Sequence, residues 1–130
     1  MTKPTLGIIG TGKMGLPMAT NLLRAGYNIV AFNRSTESLE TLTSLGATRV
    51  NSIAEVAAAA DIVLTSLTNQ QSVRDVYLAD NGLAAHAREG QIFIETSTND
   101  IPLVKEIAAT LEARGAGLLD SPVSGGVPGA

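Results

Sequence analysis

The feature that most narrows what this chain can fold into is an alternation. Short runs rich in β-branched and aliphatic residues trade places with longer segments of helical period, the signature of strand-helix-strand units. Strands are expected at Leu6 to Ile9, Asn28 to Phe32, Ala47 to Val50, Asp61 to Thr65, Gln91 to Glu95 and Gly117 to Leu119. Parallel strands need a crossover between them, and right-handed crossovers place helices on both faces of one sheet. The expectation is an α/β fold: a doubly wound, mostly parallel sheet of about six strands, with residues 1–130 forming one domain. A chain of 130 residues can bury roughly two thirds of its unfolded surface, enough for one ordinary core.

The intervening segments carry helix start and stop signals. The first runs from about Lys13 to Ala25, with Met14, Met18 and Leu22 as its inner stripe and Gly26 as the residue that ends it. Ser35 to Leu45 is the second, ended by Gly46. Ser52 and Glu55 have the spacing of a capping box, in which each side chain accepts from a backbone N–H that the helix leaves over. Gln71 to Leu78 and Leu83 to Arg88 follow, separated by an Asp80-Asn81-Gly82 turn. The last helix takes Asp100 as N-cap, tolerates Pro102 in its first turn and runs to about Ala113.

Composition removes several function classes. Hydrophobic residues make up 45% and charged residues 16%, a globular balance, and the 3% of aromatics leaves the core to aliphatic side chains. A net charge of −3 offers no basic field for a polyanion, so no nucleic acid is expected as partner. With no cysteine there is no thiolate nucleophile or cysteine metal site, and the compartment expected is a reducing cytoplasm. No metal site is expected, because no His/Glu/Cys cluster occurs. The longest apolar stretch, Val56 through Leu64, is interrupted by Asp61 and falls far short of the ~20 residues of a membrane span, so no membrane association is expected. His86, the single histidine, reads as a surface or half-buried residue.

The chemistry-bearing motifs lie at the expected strand ends. Gly10, Gly12 and Gly15 form G-x-G-x-x-G between the first strand and the first helix. In that setting the first glycine permits a tight turn, the second lets backbone approach a pyrophosphate, and the third lets helix pack on sheet. The N–H groups near Lys13 and Met14, at the positive end of the helix, are the donors for such a phosphate. The plain alternative is a tight turn that binds nothing. About 20 residues further on, where an acidic side chain would hold a ribose 2′-OH, stand Asn33, Arg34 and Ser35. Arg34 can pair with a 2′-phosphate and stack on adenine, which favours NADP over NAD as cofactor; a solvated surface arginine is the competing reading.

Ligands of open α/β sheets lie beyond the carboxyl ends of the strands. The loops there read Ser66-Leu67-Thr68-Asn69, Thr96-Ser97-Thr98-Asn99 and Asp120 through Gly126. For the first two, helix capping and ligand contact stand side by side. In the third, the consecutive Gly125 and Gly126 after Ser124 expose N–H donors suited to a carboxylate.

Taken together, GIIGTGKMGLPMATNLLRAG, FNRS and DSPVSGGVPGA resemble the β-hydroxyacid dehydrogenase family, over essentially the whole chain. The family includes 3-hydroxyisobutyrate dehydrogenases and tartronate and succinic semialdehyde reductases. The resemblance implies a Rossmann-type fold in which Gly10, Thr11, Gly12, Lys13, Met14 and Gly15 serve the pyrophosphate and Asn33, Arg34 and Ser35 the adenosine phosphate. It further places Leu67 and Thr68 at the central ribose, Thr98 on the nicotinamide side, and Ser124, Gly125 and Gly126 at the substrate carboxylate. The implied substrate is a small hydroxy acid or semialdehyde, and the implied parent enzyme a homo-oligomer. Thr68 and Ile101 stand where the family usually has proline. The family's general-acid lysine lies well past SGG, so no catalytic residue is expected within residues 1–130, the C-terminal helical domain is expected to be absent, and Lys13 and Lys105 are not assigned that role. The expectation is thus the cofactor-binding half of an NADP-dependent reductase, inactive when isolated. An imine reductase and a non-catalytic NADP sensor are the other classes compatible with the glycine signature.

Overall fold

The computed structural model describes residues 3–10, 15–33, 36–67, 69–97 and 99–121. In chain order they form β1 (Leu6–Ile9), α1 (Gly15–Arg24), β2 (Ile29–Phe32), α2 (Thr36–Ser44), β3 (Thr48–Arg49) and α3 (Ile53–Ala59). There follow β4 (Ile62–Thr65), α4 (Gln70–Leu78), α5 (Leu83–His86), β5 (Ile92–Glu95), α6 (Ile101–Glu112) and β6 (Gly117–Asp120). All strand pairs are parallel, and the sheet order is β3-β2-β1-β4-β5-β6. That is the Rossmann order, in which the chain direction across the sheet reverses between β1 and β4. Every expected strand is present, and the fold class expected from the alternation is the one observed.

Two cores follow from this topology. On one face Ile9, Val63 and Phe93 pack with Val56, Val73, Tyr77, Ile107 and Leu111 from the helices. On the other, Leu6, Ile8, Ile29 and Ala31 pack with Ala19, Leu39 and Leu42. The strands are shared between both clusters because a parallel sheet is covered on both sides.

Local differences have physical causes. In α1 the buried residues are Gly15 and Ala19, with Leu16, Leu22 and Leu23 against the core; Met18 is only half-buried, and Met14 lies outside the described residues. Of the expected stripe, Leu22 thus packs as expected, while beside Met18 it is Ala19 that is buried, because small residues at i and i+4 let the helix lie close to the sheet. Gly26 ends α1 with φ +92°, the left-handed conformation expected of it. At α3, Ser52 Oγ accepts from Glu55 N–H at 3.2 Å, but the Glu55 carboxylate accepts from Asn51 N–H at 2.9 Å. The box therefore closes one residue earlier than the spacing implies. The fifth helix is a single turn ending at His86, which is exposed. Its continuation is diverted because Arg88 donates its guanidinium to the Ala60 carbonyl, 2.6 Å away. Gln91, expected to begin a strand, instead precedes β5; its buried amide donates to the carbonyls of Ala57 and Ala60 at 2.8 and 2.9 Å.

Candidate functional site

The carboxyl ends of β1 and β4 meet at the point where the strand order reverses, where open α/β sheets hold their ligands. Ile9 lies in register with Phe32 on one side and Thr65 on the other, so the residues after these three strands converge on one edge. Gly10 turns out of β1 with φ +89°; a Cβ there would stand 2.0 Å from the Ser66 carbonyl oxygen. At Gly15 a Cβ would stand 1.8 Å from the Gly10 carbonyl oxygen. Both distances are impossible for a side chain, so the first and third glycines are required by the packing of turn, helix and β4 loop.

Of the residues singled out from sequence, Gly10, Gly15 and Leu67 are brought to this edge, and Asn33 follows directly on β2. Thr11, Gly12, Lys13, Met14, Arg34, Ser35, Thr68, Thr98, Ser124, Gly125 and Gly126 lie outside the described residues. Leu67 is half-buried, and its N–H donates to Ser97 Oγ at 2.7 Å, tying the loop after β4 to the loop after β5.

Beneath that tie lies a polar network that no sequence motif announced. Glu95, the last residue of β5, is 1% exposed. Its Oε1 accepts the Ser97 N–H at 2.6 Å, and its Oε2 accepts the hydroxyl of Thr65, the last residue of β4. Thr65 Oγ1 is in turn 2.7 Å from the hydroxyl of Tyr77 on α4. Tyr77 is fully buried, its ring edge-on to Phe93. Burial, reinforced by the negative charge of Glu95 and only partly offset by the Thr65 hydrogen bond, pushes the Tyr77 phenol well above its ordinary pKa. Tyr77 is therefore an O–H donor to Thr65, and Thr65 a donor to the carboxylate. A second bond, from Thr96 Oγ1 to the Thr65 carbonyl at 2.8 Å, fastens the same strand ends. The one hint in the sequence is an acid closing the apolar run Ile92-Phe93-Ile94, two residues from Phe93 and so on the same face of the sheet.

Elsewhere, α4 and α6 are joined by an exposed ion pair, Arg74 to Glu106 at 3.1 Å, a kind of contact worth little. Asp100 N–H donates to Gln70 Oε1 at 3.1 Å, aligning the two helix starts. Among the described residues there is no cluster of groups suited to a metal ion, and no helix is long and apolar enough to cross a membrane.

A reversing parallel sheet with a glycine turn at the reversal defines a Rossmann-type dinucleotide-binding domain. More narrowly, the chain belongs to the family of the NAD binding domain of 6-phosphogluconate dehydrogenase, whose model matches residues 5–130. Its cofactor class is accordingly a nicotinamide dinucleotide. Among curated relatives it is 38% identical, over 97% of its length, to a probable mitochondrial 3-hydroxyisobutyrate dehydrogenase of Dictyostelium discoideum, of which it covers 39%. It is 40% identical, over 96% of its length, to the NAD-dependent L-serine dehydrogenase of Pseudomonas aeruginosa, of which it covers 42%. Among solved structures, Psf3 in complex with NADP+ and 2-OPP superposes with a TM-score of 0.91 at 32% identity, covering 96% of this chain and 44% of that one. The chain thus spans about two fifths of the length of the curated relatives it matches.

Proposed function

We propose that residues 1–130 are the cofactor-binding half of an NADP-dependent oxidoreductase acting on a small 3-hydroxy acid or semialdehyde. The observation that carries this reading is the close packing of Gly10 and Gly15 at the β1/β4 reversal. It leaves backbone where a pyrophosphate sits in this fold class, and it stands beside a family match that spans the chain. When bound, the nicotinamide ring supplies the carbon that gives or takes a hydride. This chain's residues bind and orient: Gly10 through Gly15 hold the pyrophosphate by backbone N–H groups, and Leu67 and Thr68 flank the central ribose. Thr98 lies on the nicotinamide side, and Ser124, Gly125 and Gly126 receive the substrate carboxylate. The general acid is a lysine of the parent enzyme downstream of these residues.

Asn33, Arg34 and Ser35 carry the preference for NADP, since no carboxylate stands there to repel a 2′-phosphate and Arg34 can pair with it. Calorimetric titration with NADPH and NADH tests this. NADPH should bind more tightly, and Arg34→Ala should weaken NADPH on the order of 10–100-fold, the loss of one charge-assisted pair, while leaving NADH within a few-fold. Equal affinity for the two nucleotides in the parent chain would remove the assignment of Arg34.

A further inference from the structure

Burying a carboxylate is expensive unless hydrogen bonds offset its lost solvation, and β5 does not need one to fill its core. Phe93, two residues earlier on the same face, is fully buried and apolar, as is Val63 on the neighbouring strand. The acid stands instead at the carboxyl edge of the sheet, and every bond it accepts comes from a segment that leads into a ligand-facing loop. Ser97 N–H belongs to the loop after β5, and the Thr65 hydroxyl to the last residue before the loop after β4. Through the Ser97 hydroxyl the chain of bonds continues to Leu67 N–H. From behind, Tyr77 on α4 fixes the Thr65 hydroxyl by donating to it, so all the protons in the series point one way, toward Glu95. The result is a cross-brace that sets the spacing of two loops.

We propose that Glu95 is a positioning residue for the nicotinamide half of the cofactor: by holding Thr65 and Ser97 it fixes the loops after β4 and β5 against each other, without touching the ligand. This rests on the dinucleotide reading above. Only the half of the ligand that reaches those loops should notice its loss, because the glycine turn and the end of β2 are braced by other contacts, such as Gly10 N–H to the Phe32 carbonyl at 3.3 Å.

The probes are NADPH, which spans both halves, and adenosine 2′,5′-bisphosphate, which carries the adenosine half alone. Both are titrated calorimetrically into the 130-residue chain, and the enhancement of NADPH fluorescence on binding is recorded alongside. Glu95→Gln keeps the volume but turns one acceptor into a donor facing a donor. It should weaken NADPH about tenfold and abolish the fluorescence enhancement, while the bisphosphate stays within about twofold. Ser97→Ala, which removes the Leu67 tie and spares the Glu95 bonds, should give the same selective loss in smaller measure, and it decides the matter if Glu95→Gln does not fold. An equal loss for both probes makes the network merely structural and overturns the proposal, as does NADPH binding unchanged in both variants. A parent chain that binds neither probe overturns the dinucleotide reading itself, and this inference with it; a parent chain that binds both, with variants that discriminate neither, overturns only the inference.

Discussion

At the scale of single residues, two positions set requirements that the surrounding chain cannot relax. Gly15 meets the Gly10 carbonyl, a backbone atom, so a methyl group there has to push α1 off the sheet. Gly15→Ala should lower stability by at least the 1–3 kcal/mol typical of overpacking, read as a shift in the urea midpoint; an unshifted midpoint would show that the turn has slack. Tyr77 sets a pH requirement. Its phenol is held above the ordinary tyrosine value of about 10 by burial and by Glu95. Below about pH 10 the phenol is protonated whether the chain is folded or not, and its contribution is complete. As pH rises beyond that, the unfolded chain releases the proton while the folded chain keeps it, so stability falls until the folded value is reached. Tyr77→Phe should lose about 0.5–1.5 kcal/mol at neutral pH with the bond to Thr65, and should flatten the decline between pH 9 and 11. Urea unfolding of both proteins across that range gives the comparison, and parallel declines would discard the account.

At the scale of elements, the sequence was most readable where a signal is local. The Asp100 N-cap accepts from Leu103 N–H at 2.9 Å, as the residues just before α6 suggested, and Pro102 sits in its first turn. From there Leu103, Ile107 and Leu111 bury a stripe at i, i+4 and i+8. Asp100→Ala should cost about 1 kcal/mol, the usual worth of such a cap, whereas removing the exposed partner Glu106 should change the melting temperature little. Reversed magnitudes would mean that the α4–α6 contact, not the cap, holds this helix start. Readability failed where burial depends on distant chain. That α1 presents Gly15 and Ala19 follows from the approach of a carbonyl five residues earlier, which periodicity does not register. Glu95, Thr65 and Tyr77 are separated by 12 and 30 positions; each alone looks like an ordinary strand end or helix residue. Only the parallel register, which sets Thr65 beside Glu95, turns them into a network. The glycine turn was legible because it obeys a fixed spacing, and the cross-brace was not because it obeys a topology.

At the scale of the molecule, two cores lie on opposite faces of one sheet, and β1 and β4, whose carboxyl ends flank the reversal, contribute side chains to both. Ile9 of β1 and Val63 of β4 pack on the face covered by α3 through α6, while Leu6 and Ile8 of β1 and Leu64 of β4 pack on the face covered by α1 and α2. A ligand seated at the reversal is therefore linked to global unfolding: it binds the folded chain, in which both cores hold these strand ends in place, and not the unfolded one. Stabilisation then follows mass action, about 2.7 kcal/mol at a ligand concentration one hundred times the dissociation constant. For a domain of 130 residues that corresponds to a rise in melting temperature of roughly 8–11 °C. NADPH at that excess should produce the full rise with a single transition, while adenosine 2′,5′-bisphosphate, at one hundred times its own dissociation constant, should match it, since linkage depends on saturation and not on which half is contacted. The two ligands separate only at equal absolute concentration, where the weaker binder shifts the transition less. A biphasic melt with either ligand would show that the two cores unfold independently, and that the reversal point joins two units instead of lying within one.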